Sequence, residues 1–257
     1  KLPNGEEESF KLAIKMDTRK TYLMAVDTLF ELIFALMPNK KSKLMDKEIV
    51  TQLSRRNQYM PELSKYAKNK RCDFDKLKTA TINYTEGKKS NLVKYLFYFG
   101  LFDTDFEEII EESVQSFTEA INFFAKEIIE NREELNSYKH GLRFVQFPFK
   151  IEISSPKEPN KRLSINMNDS LSFQTFNHKE RVMHSQKLDF KRDVKLTYYA
   201  SDMIFNIINT RKYHYVDKSK GLVEVVAAKK GALAKAKSKE TNSNSLRIRL
   251  PLDFEIE

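Results

Sequence analysis

Apolar residues recur at two different spacings in this chain, and the change between the spacings divides it. Over 22–37 and 106–135 they recur every three or four positions, which keeps one face of a helix apolar. Both stretches therefore predict amphipathic helices. The second predicts one long helix, capped at its start by Asp103 or Thr104 and stopped at Gly141.

Shorter elements are predicted around these two helices. Residues 10–14 alternate apolar and polar side chains and predict a short strand, whereas 46–56 and 61–84 carry helical spacing. Glycine and lysines within 87–91 predict a loop. The stretch 92–101 is dense in Leu, Val, Tyr and Phe, so it predicts a short helix whose aromatic side chains belong to the core rather than to a base-stacking surface.

Beyond Gly141 the apolar period becomes two. Alternation over 142–153, 163–167 and 171–176 predicts a small antiparallel sheet, and helical spacing returns over 193–211. The expected fold class is α+β, with an N-terminal α-helical bundle followed by a small antiparallel β region and a returning helix.

These patterns suggest consecutive divisions of the chain. A helical bundle is expected over 1–141 and a β-rich region with one helix over 142–226. Residues 227–245 are rich in Ala, Lys, Ser and Asn, which predicts a flexible linker or basic tail. Residues 246–257 alternate again and predict a C-terminal strand, which pairs either within this chain or with another one.

Composition and charge narrow the range of partners. The 257 residues carry a formal net charge of +9, and 40% of them are hydrophobic, which is typical of a globular protein. The positive charge favours a polyanionic partner, with RNA ahead of an anionic membrane surface, although lysines also serve solubility.

Other chemistry is sparse in the sequence. Cys72 is the sole cysteine, which excludes an internal disulfide and a thiolate metal cluster. Neither a signal peptide nor an apolar run of membrane-spanning length is found, so a cytoplasmic location without membrane association is expected. His178 and His184 lack a metal-ligand spacing, and His214 is interpreted as an anion contact or a helix cap. No cofactor and no metal are expected.

The main candidate chemistry lies in the block from Asn136 to Gly141. Lys139, His140 and Gly141 have the composition of an ordinary helix stop, because basic residues and a final glycine suit a helix C-terminus. Arg132, Asn136 and His140 are spaced four apart, so they form a polar stripe on one helix face. Such a stripe suits a binding or catalytic face as well as a solvated one.

This stripe, ending in Lys139-His140-Gly141, resembles the HEPN superfamily of small helical domains from prokaryotic toxins, abortive-infection proteins and antiphage systems. The resemblance covers at most residues 17–141. Many members of the superfamily are metal-independent RNases, and others are inactive RNA-binding or dimerisation modules. The usual spacer between the family's Arg and His is shorter than the seven residues that separate Arg132 from His140 here.

The resemblance implies a bacterial defence or toxin-type protein that targets RNA, acting as a metal-independent endoribonuclease. His140 would then be the general acid and base, because its imidazole titrates near neutral pH. Arg132 would hold the scissile phosphate through its forked donors, and Asn136 would orient the imidazole or the phosphate. The RNA-binding candidates are Lys139, Tyr138 and Arg143.

The resemblance also implies a homodimer, because family members commonly pair two such sites. The alternative is a non-enzymatic interaction or dimerisation module of a defence or regulatory complex, with a protein partner. The long spacer between Arg132 and His140 favours this alternative. For Tyr138, packing in the core stays open beside stacking on a base.

Overall fold

The computed structural model describes residues 4–37, 53, 59–68, 81–85, 88–99, 101, 106–140, 150–155, 158–166, 169–176, 180–217, 223–237 and 245–251. Several predictions therefore lie outside the described residues. They concern the caps Asp103 and Thr104, the helix over 46–56 apart from its residue 53, and the residues Cys72, Gly141, Arg143 and His178.

Helices account for most of the described chain. In chain order they are α1 (Asn4–Leu36), α2 (Tyr59–Lys68), α3 (Leu92–Phe97), α4 (Glu107–Glu130), α5 (Arg132–His140), α6 (Phe190–Lys212) and α7 (Ala232–Lys237). A π-helical turn, Tyr213–Asp217, continues directly from α6.

All described strand pairs are antiparallel. The strands are β1 (Thr81–Thr85), β2 (Lys88–Asn91), β3 (Lys150–Ser155), β4 (Glu158–Asn166), β5 (Ser170–Phe176), β6 (Glu180–Lys187) and β7 (Ser245–Pro251). They form the hairpins β1–β2 and β3–β4 and a three-stranded sheet in the order β5–β6–β7. The α+β class is confirmed, with helices first, antiparallel strands next and α6 returning after them. The final strand pairs within the chain.

The chain forms two compact units, and each is discontinuous in sequence. Unit 1 comprises 1–21, 132–194 and 239–257, and unit 2 comprises 22–131 and 195–238. The divisions expected from the sequence were consecutive, whereas α1 and α6 each contribute residues to both units.

An aromatic cluster fills the core of unit 2. The ring of Phe117 lies 5.1 Å from that of Phe97, 6.0 Å from that of Tyr98 and 6.1 Å from that of Tyr199. Every residue of α3 is buried, Lys94 included. The expectation that this aromatic stretch belongs to the core is therefore confirmed for its described residues.

The strand predicted over 10–14 is wrong, because α1 already begins at Asn4. Phe10 and Ile14 are also four positions apart, which places them on one side of a helix. Phe10 is 58% exposed, so the alternating pattern does not reflect burial on a sheet. Lys11 pairs with Glu7 at 2.9 Å across one helical turn.

The hairpin β1–β2 replaces the end of the helix or irregular helical pieces predicted over 61–84, and most of the loop predicted over 87–91. Ile82 stands opposite Ser90, and the register shifts by a bulge between Asn83 and Thr85. The hairpin leads directly into α3, whose first turn is capped by the Asn91 side chain accepting from the Lys94 N–H at 2.7 Å.

The single long helix predicted up to Gly141 is two helices, α4 and α5, separated at Asn131. The N–H of Asn131 donates to the Glu127 carbonyl at 2.9 Å, and its side-chain Nδ2 donates to the same oxygen at 2.7 Å. Asn side chains compete for backbone carbonyls in this way and so favour helix ends. Arg132 consequently begins a helix of its own.

Part of the expected flexible linker packs in unit 2. Residues 223–230 form an extended segment that includes the start of this linker. The Asn206 side chain binds both backbone groups of Val226: it donates to the carbonyl at 2.7 Å and accepts from the N–H at 2.8 Å. Ala228 donates to Ser113 Oγ at 2.8 Å, and the segment leads into α7, which buries Leu233. These buried contacts, invisible in the local composition, explain the difference from the expected linker.

Candidate nucleic-acid interface

The helix α5 carries most of the predicted site residues and is anchored in unit 1 by its inward side. Leu135 and Ser137 are buried, and the Ser137 hydroxyl donates to the Glu133 carbonyl at 2.8 Å. Glu134 is buried as well. Because a helix of nine residues is too short to be stable alone, these contacts are what hold it in place.

A buried ionic cluster fixes the start of α5 to α1. Arg19 Nε and Nη2 donate to the two carboxylate oxygens of Glu134, each at 3.0 Å, in the bidentate geometry that arginine favours. Arg19 Nη1 also reaches Asp193 at 3.3 Å, and Asp193 accepts from Arg192 at 3.0 Å. Among the residues that the structure describes, two positive and two negative groups meet here, and their opposite charges offset the cost of burial.

Tyr138 is likewise committed to packing within unit 1. Its hydroxyl donates to the Met16 carbonyl at 3.2 Å. Burial, followed by the negative charge of Glu134, raises the pKa of Tyr138 well above its ordinary value. The phenol therefore stays protonated. Of the two roles considered for Tyr138, packing describes its position here.

The opposite side of α5 carries Arg132, Asn136 and Lys139, which together are called the α5 face. Arg132 and Lys139 are exposed, and Asn136 is half-buried. His140 is the last residue of the same helix, but its side chain and the residue Arg143 lie outside what the structure describes. The helix thus brings Arg132 and Asn136 onto one side and leaves Tyr138 on the other.

Distances along α5 limit what the α5 face can do chemically. At about 1.5 Å of rise per residue, Asn136 lies roughly 6 Å from Arg132 along the axis, and His140 lies roughly 12 Å from it. The face is therefore an extended row of donors rather than a compact pair around one phosphate.

Two further imidazoles, those of His184 and His214, pack against aromatic side chains. His184 stacks on Phe173 with ring centroids 4.9 Å apart, and its Nε2 lies 2.9 Å from the Thr175 hydroxyl. His214 packs edge-on against Phe99 and Tyr215, at 4.9 Å in each case. Within the described ranges, no group of three or more His, Cys, Asp or Glu side chains is placed to hold a metal ion.

Sequence reasoning missed Arg211, whose side chain binds the carbonyl groups at the C-terminus of α3. Its guanidinium donates to the carbonyls of Leu96 at 2.8 Å and Tyr95 at 3.2 Å, and it lies 4.7 Å from the centre of the Phe99 ring. A helix C-terminus favours such a cation. The sequence held one sign of this role. Arg211 lies four positions after the apolar Ile207, so this charged residue falls on the buried face of the helix.

Comparison with known proteins finds no family model, no curated protein and no solved structure that matches this chain. Among the helices that the structure describes, none combines the length and apolarity needed to cross a bilayer. The function proposed for the chain therefore depends on the side chains described above and on their charge.

Proposed function

We propose that this chain targets RNA, in the manner of a bacterial defence or toxin-type protein with a HEPN-like helical part, and that the α5 face contacts the phosphates. The observation that carries the proposal is the two-sided character of α5. Its inward side is fixed by Glu134, Leu135 and Ser137, whereas its outward side presents Arg132 and Lys139 to solvent. A rigid basic row suits a phosphate backbone.

The spacing along α5 favours binding without cleavage. Metal-free cleavage needs an acid–base group and a phosphate-holding group around the same reacting atoms. Roughly 12 Å of helix separates Arg132 from His140, so the two residues of one helix suit two separate phosphates better than one. The net charge of +9 supports the same polyanionic partner.

The binding test compares charge-matched variants. A 5′-labelled single-stranded RNA is titrated by fluorescence anisotropy with wild type and with the double variant Arg132→Ala/Lys139→Ala. The matched control, Lys20→Ala/Lys126→Ala, removes two exposed lysines outside α5. We expect the α5 variant alone to weaken binding and to lower the salt slope by roughly 0.7 for each phosphate that it no longer neutralises. Equal weakening by both variants would show that net charge, and not the α5 face, accounts for the binding.

A cleavage assay separates the enzymatic form of the proposal. The same RNA is incubated with wild type and with His140→Ala in the presence of a chelator, and the products are run on a denaturing gel. Intact RNA with wild type supports binding without cleavage. Cleavage by wild type that His140→Ala abolishes, at unchanged melting temperature, would instead establish the metal-independent endoribonuclease with His140 as its acid–base group.

The second candidate is a homodimerising interaction module, and exposed apolar residues on α6 favour it. Tyr198 is 69% exposed, Ile208 is 55% exposed, and Phe205 lies between them on the same side of the helix. Exposed apolar rows of this kind mark protein interfaces. Sedimentation velocity of wild type and Ile208→Glu tests it. A dimer that the substitution dissociates supports this candidate, and a monomeric wild type excludes it.

A further inference from the structure

A cavity in unit 2 lies apart from α5 and is built from α4, α6 and the chain leading to α7. Its volume is about 380 Å³, at the lower end of the range typical of small-molecule sites. The side chains that line it fall into an aromatic pair, a carboxylate and a group of lysines, namely Phe117, Tyr199, Asp202, Lys229, Lys230 and Lys235.

One wall of this cavity is formed by residues 226–230 of the extended segment, and hydrogen bonds within the protein hold this segment in place. Asn206 brackets Val226 through both backbone groups, and Tyr98 adds a hydrogen bond to the same carbonyl at 2.9 Å. The Lys230 N–H donates to Glu112 at 2.8 Å. A preformed wall lowers the entropy cost of binding.

The aromatic lining is also fixed. Phe117 packs within the ring cluster of unit 2, and the Tyr199 hydroxyl donates to the Ser116 carbonyl at 3.5 Å. Because Phe117 is 1% exposed and Tyr199 is 9% exposed, the two rings give the cavity a fixed apolar floor against which one edge of a planar ring can lie.

Asp202 gives the cavity its hydrogen-bonding specificity. The carboxylate is half-buried, and no described residue donates a hydrogen bond to it or pairs with it. Burial raises the pKa of Asp202 above its ordinary value, which is the expected effect of removing water from an unpaired carboxylate. An ionised carboxylate only accepts hydrogen bonds, so its natural partner is a ligand with donors.

The lysines indicate a negatively charged group in the ligand, in addition to the planar ring and its donors. Lys229, Lys230 and Lys235 are exposed beside the cavity, whereas the neighbouring acidic groups are Asp202 itself, Glu112 and Glu119. These three lysines stand at the rim of the cavity, where a phosphate would be favoured. A planar ring with adjacent donors, joined to a phosphate, satisfies all three features of the lining.

We propose that this cavity binds a guanine nucleotide, with Asp202 accepting from the base and the lysines meeting the phosphate. Guanine is the base that offers two adjacent donors, N1–H and N2–H, to the two oxygens of one carboxylate. The nucleotide is either a free mononucleotide or a guanosine within single-stranded RNA, since both share this chemistry.

Isothermal titration calorimetry of the whole chain with GMP, AMP and guanosine tests the proposal. Asp202→Asn keeps the shape but replaces one acceptor with a donor, and it should weaken GMP binding roughly ten- to hundredfold, the range of hydrogen bonds to charged groups. The matched control Glu119→Gln removes an exposed carboxylate outside the lining and should leave binding unchanged. Lys229→Ala/Lys230→Ala should weaken GMP but not guanosine.

Further arms identify the source of the ligand and separate this cavity from the α5 face. In the Arg132→Ala/Lys139→Ala background, a short single-stranded RNA with one guanosine that binds more tightly than GMP, and that Asp202→Asn weakens, assigns the cavity to RNA, whereas the reverse order of affinities assigns it to a mononucleotide. Arg132→Ala/Lys139→Ala should leave GMP binding intact whether or not the α5 face binds RNA. Absence of GMP binding, equal affinity for AMP, or unchanged binding by Asp202→Asn would overturn the proposal.

Discussion

Removing the Arg19 guanidinium should lower the free energy of unfolding of unit 1 by much more than an average single substitution does. Arg19 and Glu134 are 3% and 1% exposed, and two hydrogen bonds join them. Arg19→Met keeps an apolar stem in the same space but leaves the Glu134 carboxylate buried without its partner. Asp193 keeps Arg192 at 3.0 Å, so the uncompensated charge falls on Glu134.

The expected size of the effect follows from this arrangement. Breaking a buried pair by removing one partner costs about 3–5 kcal/mol, because the remaining charge stays desolvated. Removing both partners costs much less, since two well-packed apolar side chains replace two desolvated charges. Arg19→Met/Glu134→Met should therefore be more stable than Arg19→Met alone, although it carries one more substitution.

Urea denaturation followed by far-UV circular dichroism measures the difference. With a slope of about 1–3 kcal/mol per molar urea, Arg19→Met should lower the midpoint by about 1 M or more. Lys20→Met, at the exposed neighbouring position, serves as control and should stay within about 0.5 kcal/mol of wild type. An Arg19→Met variant as stable as the control, or a double variant less stable than Arg19→Met, would refute the reasoning.

Two further outcomes are expected in unit 2. Burial raises the pKa of Tyr98 to about 12, so the folded state keeps a proton that the unfolded chain releases near pH 10. This contribution to the free energy of unfolding, about 3 kcal/mol, is complete below pH 10 and is lost as the pH rises through 12. In Tyr98→Phe the urea midpoint should therefore fall less steeply over that pH range, by a slope equivalent to about one proton. An identical slope in both proteins would contradict the assignment. Asn206→Ala leaves the Val226 N–H without its acceptor and should cost about 1–3 kcal/mol, with faster amide exchange at Val226. Ser201→Ala, exposed on the same helix, is its control, and unchanged exchange at Val226 in Asn206→Ala would show that another group holds the segment.

The elements that the sequence predicted are those whose apolar period persists over several turns or residue pairs, namely helix α6 and strands β3 to β5. On α6 the periodic positions Leu196, Met203 and Ile207 are buried. Strand β1 was missed although Thr81–Thr85 contains β-branched and aromatic residues, because the surrounding stretch also fits helical spacing. Periodicity therefore assigns long one-sided elements better than short ones.

The candidate site was predicted only where it depends on local spacing. The four-residue interval places Arg132 and Asn136 on one side of α5, as expected. The Arg19–Glu134 pair joins positions 115 residues apart, and the cavity depends on Asn206 binding a backbone segment 20 residues later. No periodic signal records such long-range polar contacts, because each partner is a single residue.

Strand β7 constrains the order in which the molecule can be completed during synthesis. Its partner β6 ends at Lys187, whereas β7 begins at Ser245, and the whole second segment of unit 2 lies between them. A growing chain that has not reached Ser245 leaves one edge of β6 with unpaired backbone N–H and C=O groups. Neighbouring nascent chains can pair with that edge, so self-association competes with folding until β7 has left the ribosome.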